Sequence, residues 1–454
     1  MRDAPAALEL AERACRAVAG GEADVLAHRE RSGFARFAAS VVHQPTLVDD
    51  ASVTIRVVRD GKVGAVSTNR TDDEGLRAAA RRAAEAADRG RVDPSFPGLP
   101  PPAPLPDVKG FDEAVAALTP EEQAERSWRA IEAAGNLNLY GYFTSAVSEL
   151  AVASTTGVTV SQALTDATVV ALAADDETSG YADATAWRLS DLDPAAAARA
   201  AAETAERTRG ARELGPGTYR AVLAPDAFGD LLWYFGFSSL GALAFLEGRS
   251  FFSGRLGHRV FDPSFSLVDD ALDPDGLPKA FDFEGVPKQR VELVAGGVAR
   301  DVVWDSRTGA RAGKSSTGHA LAAPAQAHGP LALNLAVAGG DATPEDLAER
   351  VGDGIYVSRL HYLSVVDARE AIFTGMTRDG TFRVERGRIT EPLVNLRFTT
   401  SFPALAERLL GLSRERKLVN QSDFYGERYP YGALVPAVAT EHFTIVGTGS
   451  RPGL

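Results

Sequence analysis

The groups in this sequence that could do chemistry are few and scattered. The segment FDFEGVP places Asp282 and Glu284 two residues apart. On a strand both carboxylates would project from one face, where they could act as an acid and base pair. In a loop the same residues would cap backbone N–H groups, and the sequence leaves both readings open. Downstream, SSTGHA carries His319 behind Ser316 and Thr317. Its imidazole could contact substrate and exchange protons near neutral pH, or it could belong to a turn whose hydroxyls satisfy the backbone. The seven histidines include no short His-x-x-x-His pair, and the step from His319 to His328 crosses a proline, so no relocated helical metal site is expected. Cys15 is the single cysteine, which excludes an intrachain disulfide and a cysteine-based zinc knuckle. Lys314 lies between Gly313 and two serines but lacks the glycine spacing of a phosphate loop, and nucleotide binding is set aside.

These groups must be positioned by a chain of 454 residues, 45% of them hydrophobic, enough for two or three domains with real cores. The formal net charge is −13, from 48 Lys and Arg against 61 Asp and Glu, with no basic block to grip phosphates, so nucleic acid is not an expected partner. With no basic, apolar leader and no run of about 18 apolar residues, the expectation is a cytoplasmic protein without membrane contact.

The fold class expected is α+β. An Ala/Leu-periodic helix opens the chain, and alternating strands follow. RDGKVG, from Arg59, reads as an Asp-Gly hairpin, and Thr71 is placed to cap the helix after it. Residues 93–107 form a proline-rich extended linker. A helix near Pro120 to Ala134, strands of a half-buried sheet and an Ala-rich helix from Pro194 to Arg207 complete an N-terminal α/β-type domain, residues 1–214, with a mixed or antiparallel sheet. Gly215, Pro216 and Gly217 mark the boundary to a β-rich domain, residues 215–454. Within that domain LLWYFGFSSLGALAFLEG, from Leu231, predicts a central helix buried on nearly every side and continuous to a loop at Gly248. Tyr425, Tyr429 and Tyr431 form an aromatic cluster fit either for an interface or for the core.

In order along the chain, SFFSGRLG, FDFEGVP, GGVARDVVWDSRTGARAGKSSTGHA, GDGIYV and FRVERGRITEPLVNLRF resemble the TldD/PmbA family, as do RFAASVVHQ and VRDGKVGAVSTN near the start. The family comprises heterodimeric zinc peptidases with an older name of gyrase modulator. The resemblance implies that the helix before the SFFSGRLG loop would carry His-Glu-x-x-x-His in a catalytic member, with a cysteine near the C-terminus. Here those six positions fall on residues 233–238, with Trp233, Tyr234 and Ser238 where the His, Glu and His would stand. VNQSDFYGERYPYGALVP carries no cysteine either. The resemblance therefore implies a TldE/PmbA-like subunit with no metal or cofactor of its own and no catalytic residue. It would pair with a zinc-bearing TldD-like chain, or with itself as a homodimer acting without zinc in a peptide or natural-product pathway. It further implies peptide contacts from Arg249, Ser250 and Phe251 and from Ser316, Thr317 and His319.

Overall fold

The computed structural model describes residues 6–323, 325–422 and 428–453. The N-terminal half is built on β1 (Glu22–Ala38), β2 (Val41–Arg59), β3 (Lys62–Thr68), β4 (Asn138–Ser154), β5 (Thr159–Ala174) and β6 (Ser179–Ala186). These lie in the order β3-β2-β1-β4-β5-β6, every pair antiparallel. Helices α1 (Ala7–Arg16), α2 (Asp73–Arg89), α3 (Glu113–Ala116), α4 (Pro120–Ala133) and α5 (Pro194–Arg207) accompany it. Their alanine stripes pack closely on the sheet: Ala79, Ala80 and Ala83 of α2 meet Val53, Ile55 and Val57 of β2. Small side chains let helix and sheet approach, and at Gly64 an added Cβ would lie 2.3 Å from the Ala83 carbonyl oxygen.

The Asp60-Gly61 turn forms as the sequence predicts, with both residues at positive φ (49° and 72°). The cap of α2 is corrected by one residue: Asp72, not Thr71, accepts from the Gly75 N–H, since a carboxylate there also meets the positive end of the helix dipole. Within 93–107 no helix or strand forms.

The second sheet comprises β7 (Gly217–Leu223), β8 (Leu267–Asp269), β9 (Val291–Ala295), β10 (Val298–Ala299), β11 (Asn334–Val337), β12 (Gly354–Asp367), β13 (Ile372–Glu385), β14 (Arg388–Leu393), β15 (Leu396–Ser401), β16 (Leu409–Asn420) and β17 (Gly432–Thr448). β7 pairs with both β12 and β17, so the path β17-β15-β13-β12-β7 returns on itself. Closure leaves β7 with a partner on each side, while β10, β14 and β16 each pair with one strand only.

Against this sheet lies α6 (Pro225–Ser239), followed by the short α7 (Ala242–Leu246). Phe228, Leu231, Leu232 and Phe235 of α6 enter a core with Phe261, Phe265 and Phe402, where Phe235 and Phe402 stack at 4.3 Å. The expected continuous helix is corrected here, because it breaks between Leu240 and Gly241. Glycine is a poor helix residue, and a strand-like bridge replaces the interrupted helical bonds: the Val303 N–H donates to the Leu240 carbonyl and the Ala242 N–H to the Val303 carbonyl. Burial on every side is corrected too, since one stripe of α6 is open, with Phe237 43% exposed.

Candidate functional site

The open stripe of α6 consists of Asp226, Asp230, Trp233, Tyr234 and Phe237. At 3.6 residues per turn these positions span an arc of about 100° on one side of the helix. The stripe begins in a cavity of about 530 Å³ between the two sheets, lined by Asp226 and Asp230, by Phe34, Tyr140, Tyr142, Tyr181 and Asp183 of the first sheet, and by Arg359, His361 and Asn420 of the second. Arg36 also faces it.

The charged groups of the cavity form a chain of contacts. The Lys417 ammonium, on β16, donates to Asp226 Oδ1 at 2.6 Å and lies 2.5 Å from Asp183 Oδ1. The Tyr181 hydroxyl donates to Asp183 Oδ2 at 2.9 Å. Arg359 lies 3.9 Å from the centre of the Tyr181 ring, with its Nε 3.5 Å from Asp379 Oδ2. Burial first, then the Asp183 charge, lifts the Asp226 carboxyl to about 6, with Lys417 opposing. Burial, then Asp226, lifts Asp230 to about 7, with the Leu360 N–H among the opposing contacts. Two carboxyls one helical turn apart are thus held above the ordinary carboxylate range, the Asp226 one while ion-paired to Lys417. Sequence reasoning missed this pair. Its signal is Asp-x-x-x-Asp in PDAFGDLLWYFG, two carboxylates at i and i+4 in an otherwise apolar helix.

Further along the stripe the residues present do not fit zinc. The Trp233 indole packs 5.1 Å from the Tyr431 ring, Tyr234 packs on Phe373, and the Ser238 hydroxyl donates back to the Tyr234 carbonyl at 2.8 Å. An indole N–H cannot ligate, and a serine hydroxyl bonded to its own helix is a poor substitute for imidazole. Among the described residues no three His, Cys, Asp or Glu side chains converge for a metal.

The other residues singled out in the sequence lie in a second, enclosed group. His319 is 1% exposed; its Nε2–H donates to Asp269 Oδ1 at 2.8 Å, and Nδ1 accepts from the Thr317 hydroxyl at 2.9 Å. Burial, reinforced by nearby Lys288, pushes the imidazole down, so the ring is neutral. His319 therefore joins segments inside the protein and has no nitrogen left for a substrate. Ser316 donates to the Trp304 carbonyl, and the Thr317 hydroxyl accepts from the Trp304 N–H. Asp282 and Glu284 lie in a turn and not on a strand: Asp282 accepts N–H groups from Glu284, Val286 and Ala320, while Glu284 reaches Arg56 of β2 at 3.2 Å. Beside them, burial and the Lys288 charge lower the Lys279 ammonium to about 7.

In the loop after α7, Ser250 is fully buried and donates to the Ser239 carbonyl at 2.6 Å. Phe251 is 6% exposed within the phenylalanine core. Of this loop set only Arg249 is exposed, and it pairs with Glu247. Tyr429 packs on Phe283 at 4.5 Å and Tyr431 on Trp233, so both serve packing within the chain, while Tyr425 lies outside the described residues.

The fold is similar to that of TldE from Thermococcus kodakarensis (TM-score 0.84, 18% identity, 97% of this chain and 100% of that one). It is equally similar to a crystal structure described as a putative modulator of a DNA gyrase from Thermotoga maritima (TM-score 0.83, 20% identity, 94% and 96%). In sequence the chain is 26% identical to an uncharacterised protein of Methanocaldococcus jannaschii over 59% of its length, and 25% identical to a metalloprotease TldD homologue of Haemophilus influenzae over 44%. These matches span only 63% and 42% of those relatives. A profile described as PmbA/TldA metallopeptidase domain 1 matches residues 23–87, and one for the C-terminal domain matches residues 216–447. With half the chain matched by that second profile alone, the protein belongs to the PmbA/TldD metallopeptidase family.

Proposed function

We propose that this chain is the metal-free, TldE/PmbA-type subunit of a two-chain zinc peptidase that works in the cytoplasm. A TldD-type partner would supply zinc and water, and this chain would supply wall and peptide contacts. The observation that carries this reading is the composition of the α6 stripe, where aromatic packing and a self-bonded serine occupy the ligand positions.

The surface around the cavity supports a partner. Phe237 on α6, Tyr362 (77% exposed), Val365 and Val366 beyond cavity-lining His361, and Val41 just past cavity-lining Ala38 are among the most exposed large apolar side chains described. Exposed apolar side chains of this size suit burial by a second chain. Of the loop residues, exposed Arg249 would be the one to meet a peptide, with Ser250, Phe251, Ser316, Thr317 and His319 bracing the wall from inside. A second reading, a zinc-independent homodimer in a peptide or natural-product pathway, draws on the Asp226 and Asp230 carboxyls.

The test is metal analysis and peptide cleavage by the chain alone and with a TldD-type partner. The expected result is no stoichiometric zinc and no cleavage alone, and cleavage on mixing. One zinc retained per chain after dialysis overturns the proposal, and metal-independent cleavage by the chain alone favours the second reading.

A further inference from the structure

We propose that the cavity between the sheets is a binding site for the free ammonium group of a peptide, held by Asp230 and walled by Phe34, Tyr140, Tyr142 and Tyr181. That the ligand is a peptide rests on the reading above; that it is a cation rests on the cavity itself.

Two charges of the cavity lack an ion-pair partner among the described residues, Asp230 and the exposed Arg36. Lys417 lies between Asp183 and Asp226 and compensates both. Arg359 is turned to Asp379 and to the Tyr181 ring. No Lys or Arg side chain among the described residues forms an ion pair with Asp230; the Arg359 charge favours its ionised form only from beyond ion-pair reach, and Asp226 and Asp183 oppose it. His361 is pushed down by burial and by Arg378 and Arg359, so near pH 7 it is neutral and does not repel a cation. Arg36 is exposed to solvent, where its charge is screened; it suits a carbonyl or carboxylate farther along the same ligand.

The walls favour the same chemistry. Phe34 and Tyr142 stack at 4.8 Å, and with Tyr140 they line the cavity with aromatic side chains of the kind that attract a cation, as the Tyr181 ring already does for Arg359. A volume of about 530 Å³ admits the end of a peptide and excludes folded protein. A bare metal ion is disfavoured because the Lys417 ammonium already occupies the space between two of the three carboxylates.

The experiment is calorimetric titration of the full chain with triglycine amide, its N-acetylated form and N-acetyl-lysine amide. Triglycine amide should bind, and acetylation should weaken binding by about tenfold or more, as expected for loss of a charged hydrogen bond. Asp230→Asn should weaken the free amine by a similar factor and leave the acetylated peptide unchanged. Tyr140→Ala, a wall variant, should also weaken the amine and covers the case in which the Asn variant fails to fold. Equal binding of N-acetyl-lysine amide assigns the site to any ammonium, and weaker binding assigns it to the amino terminus. Equal affinity for free and acetylated triglycine, no binding of either, or no effect of both variants overturns the inference. Because no partner is needed, loss of this result alongside activity with a TldD-type chain would remove the inference alone.

Discussion

Asp230→Asn should stabilise the protein, by an amount that grows with pH. The Asp230 carboxyl is carried from an ordinary 3.8 to about 7, first by burial and then by Asp226 one turn away. The unfolded chain releases this proton near pH 4, while the folded chain holds it until near 7. Through that window the folded state binds more protons, so stability falls as pH rises from about 4 to about 7, and the whole penalty is present above that. The displacement corresponds to roughly 4 kcal/mol if taken at face value. The side chain is only partly buried and faces a cavity open to water, so solvent screening reduces this to about 1 to 2 kcal/mol. Asparagine has the same shape and cannot ionise. Urea unfolding at pH 4.5 and pH 8 measures the effect: the advantage of the Asn variant should widen by that amount at the higher pH. A difference independent of pH, or one that shrinks as pH rises, would refute the reasoning.

Three further substitutions test the fold away from the cavity. Arg56→Ala should cost about 3 to 5 kcal/mol in thermal unfolding, because it leaves the Asp24 and Glu284 carboxylates buried without their shared partner. Gly241→Ala should lower the urea midpoint by an amount equivalent to about 1 to 3 kcal/mol, since an added Cβ would lie 2.3 Å from the Pro330 carbonyl oxygen on a backbone tied to Val303; an unchanged midpoint would show that the break is not tightly packed. His319→Ala should lower stability by about 2 to 4 kcal/mol through the cavity it leaves and the donor lost to Asp269, while the zinc content of an assembled two-chain complex stays the same.

Much of the fold was legible because local signals agreed with it. The Asp-Gly hairpin, the proline-opened helices at Pro120 and Pro194, and the Gly-Pro-Gly run before β7 each depend on backbone preferences that a neighbour seldom overrides. The break at Gly241 was hidden because its cause is distant: apolar periodicity continues through it, and only pairing with Val303 makes the interruption favourable. The candidate site was half legible. The residue types at Trp233, Tyr234 and Ser238 show that these side chains are poor metal ligands, whereas His319 and Asp282 invite chemical readings that burial removes. The cavity was invisible because its groups come from β1, β4, β6, α6, β12 and β16, and nothing local relates Asp183 to Asp226 or Lys417.

What holds those groups together is a seam of ion pairs between the first sheet and the C-terminal half of the chain. Arg56 of β2 meets Glu284, Arg428 donates to Asp166 of β5 and Thr144 of β4, and Lys417 meets Asp183 of β6. Pairs of this kind contribute little net stability, because desolvating the charges offsets most of their attraction. Their consequence here is geometric. An apolar seam could slide with small loss, whereas displacing Arg428 would strand Asp166, a carboxylate 1% exposed, without its guanidinium. The two sheets are thereby fixed in one relation, and the cavity between them is formed before any ligand arrives. A preformed cavity removes ordering costs from binding. With Asp226 and Asp230 of α6 already held in its wall, selectivity at the cavity then depends on shape and charge.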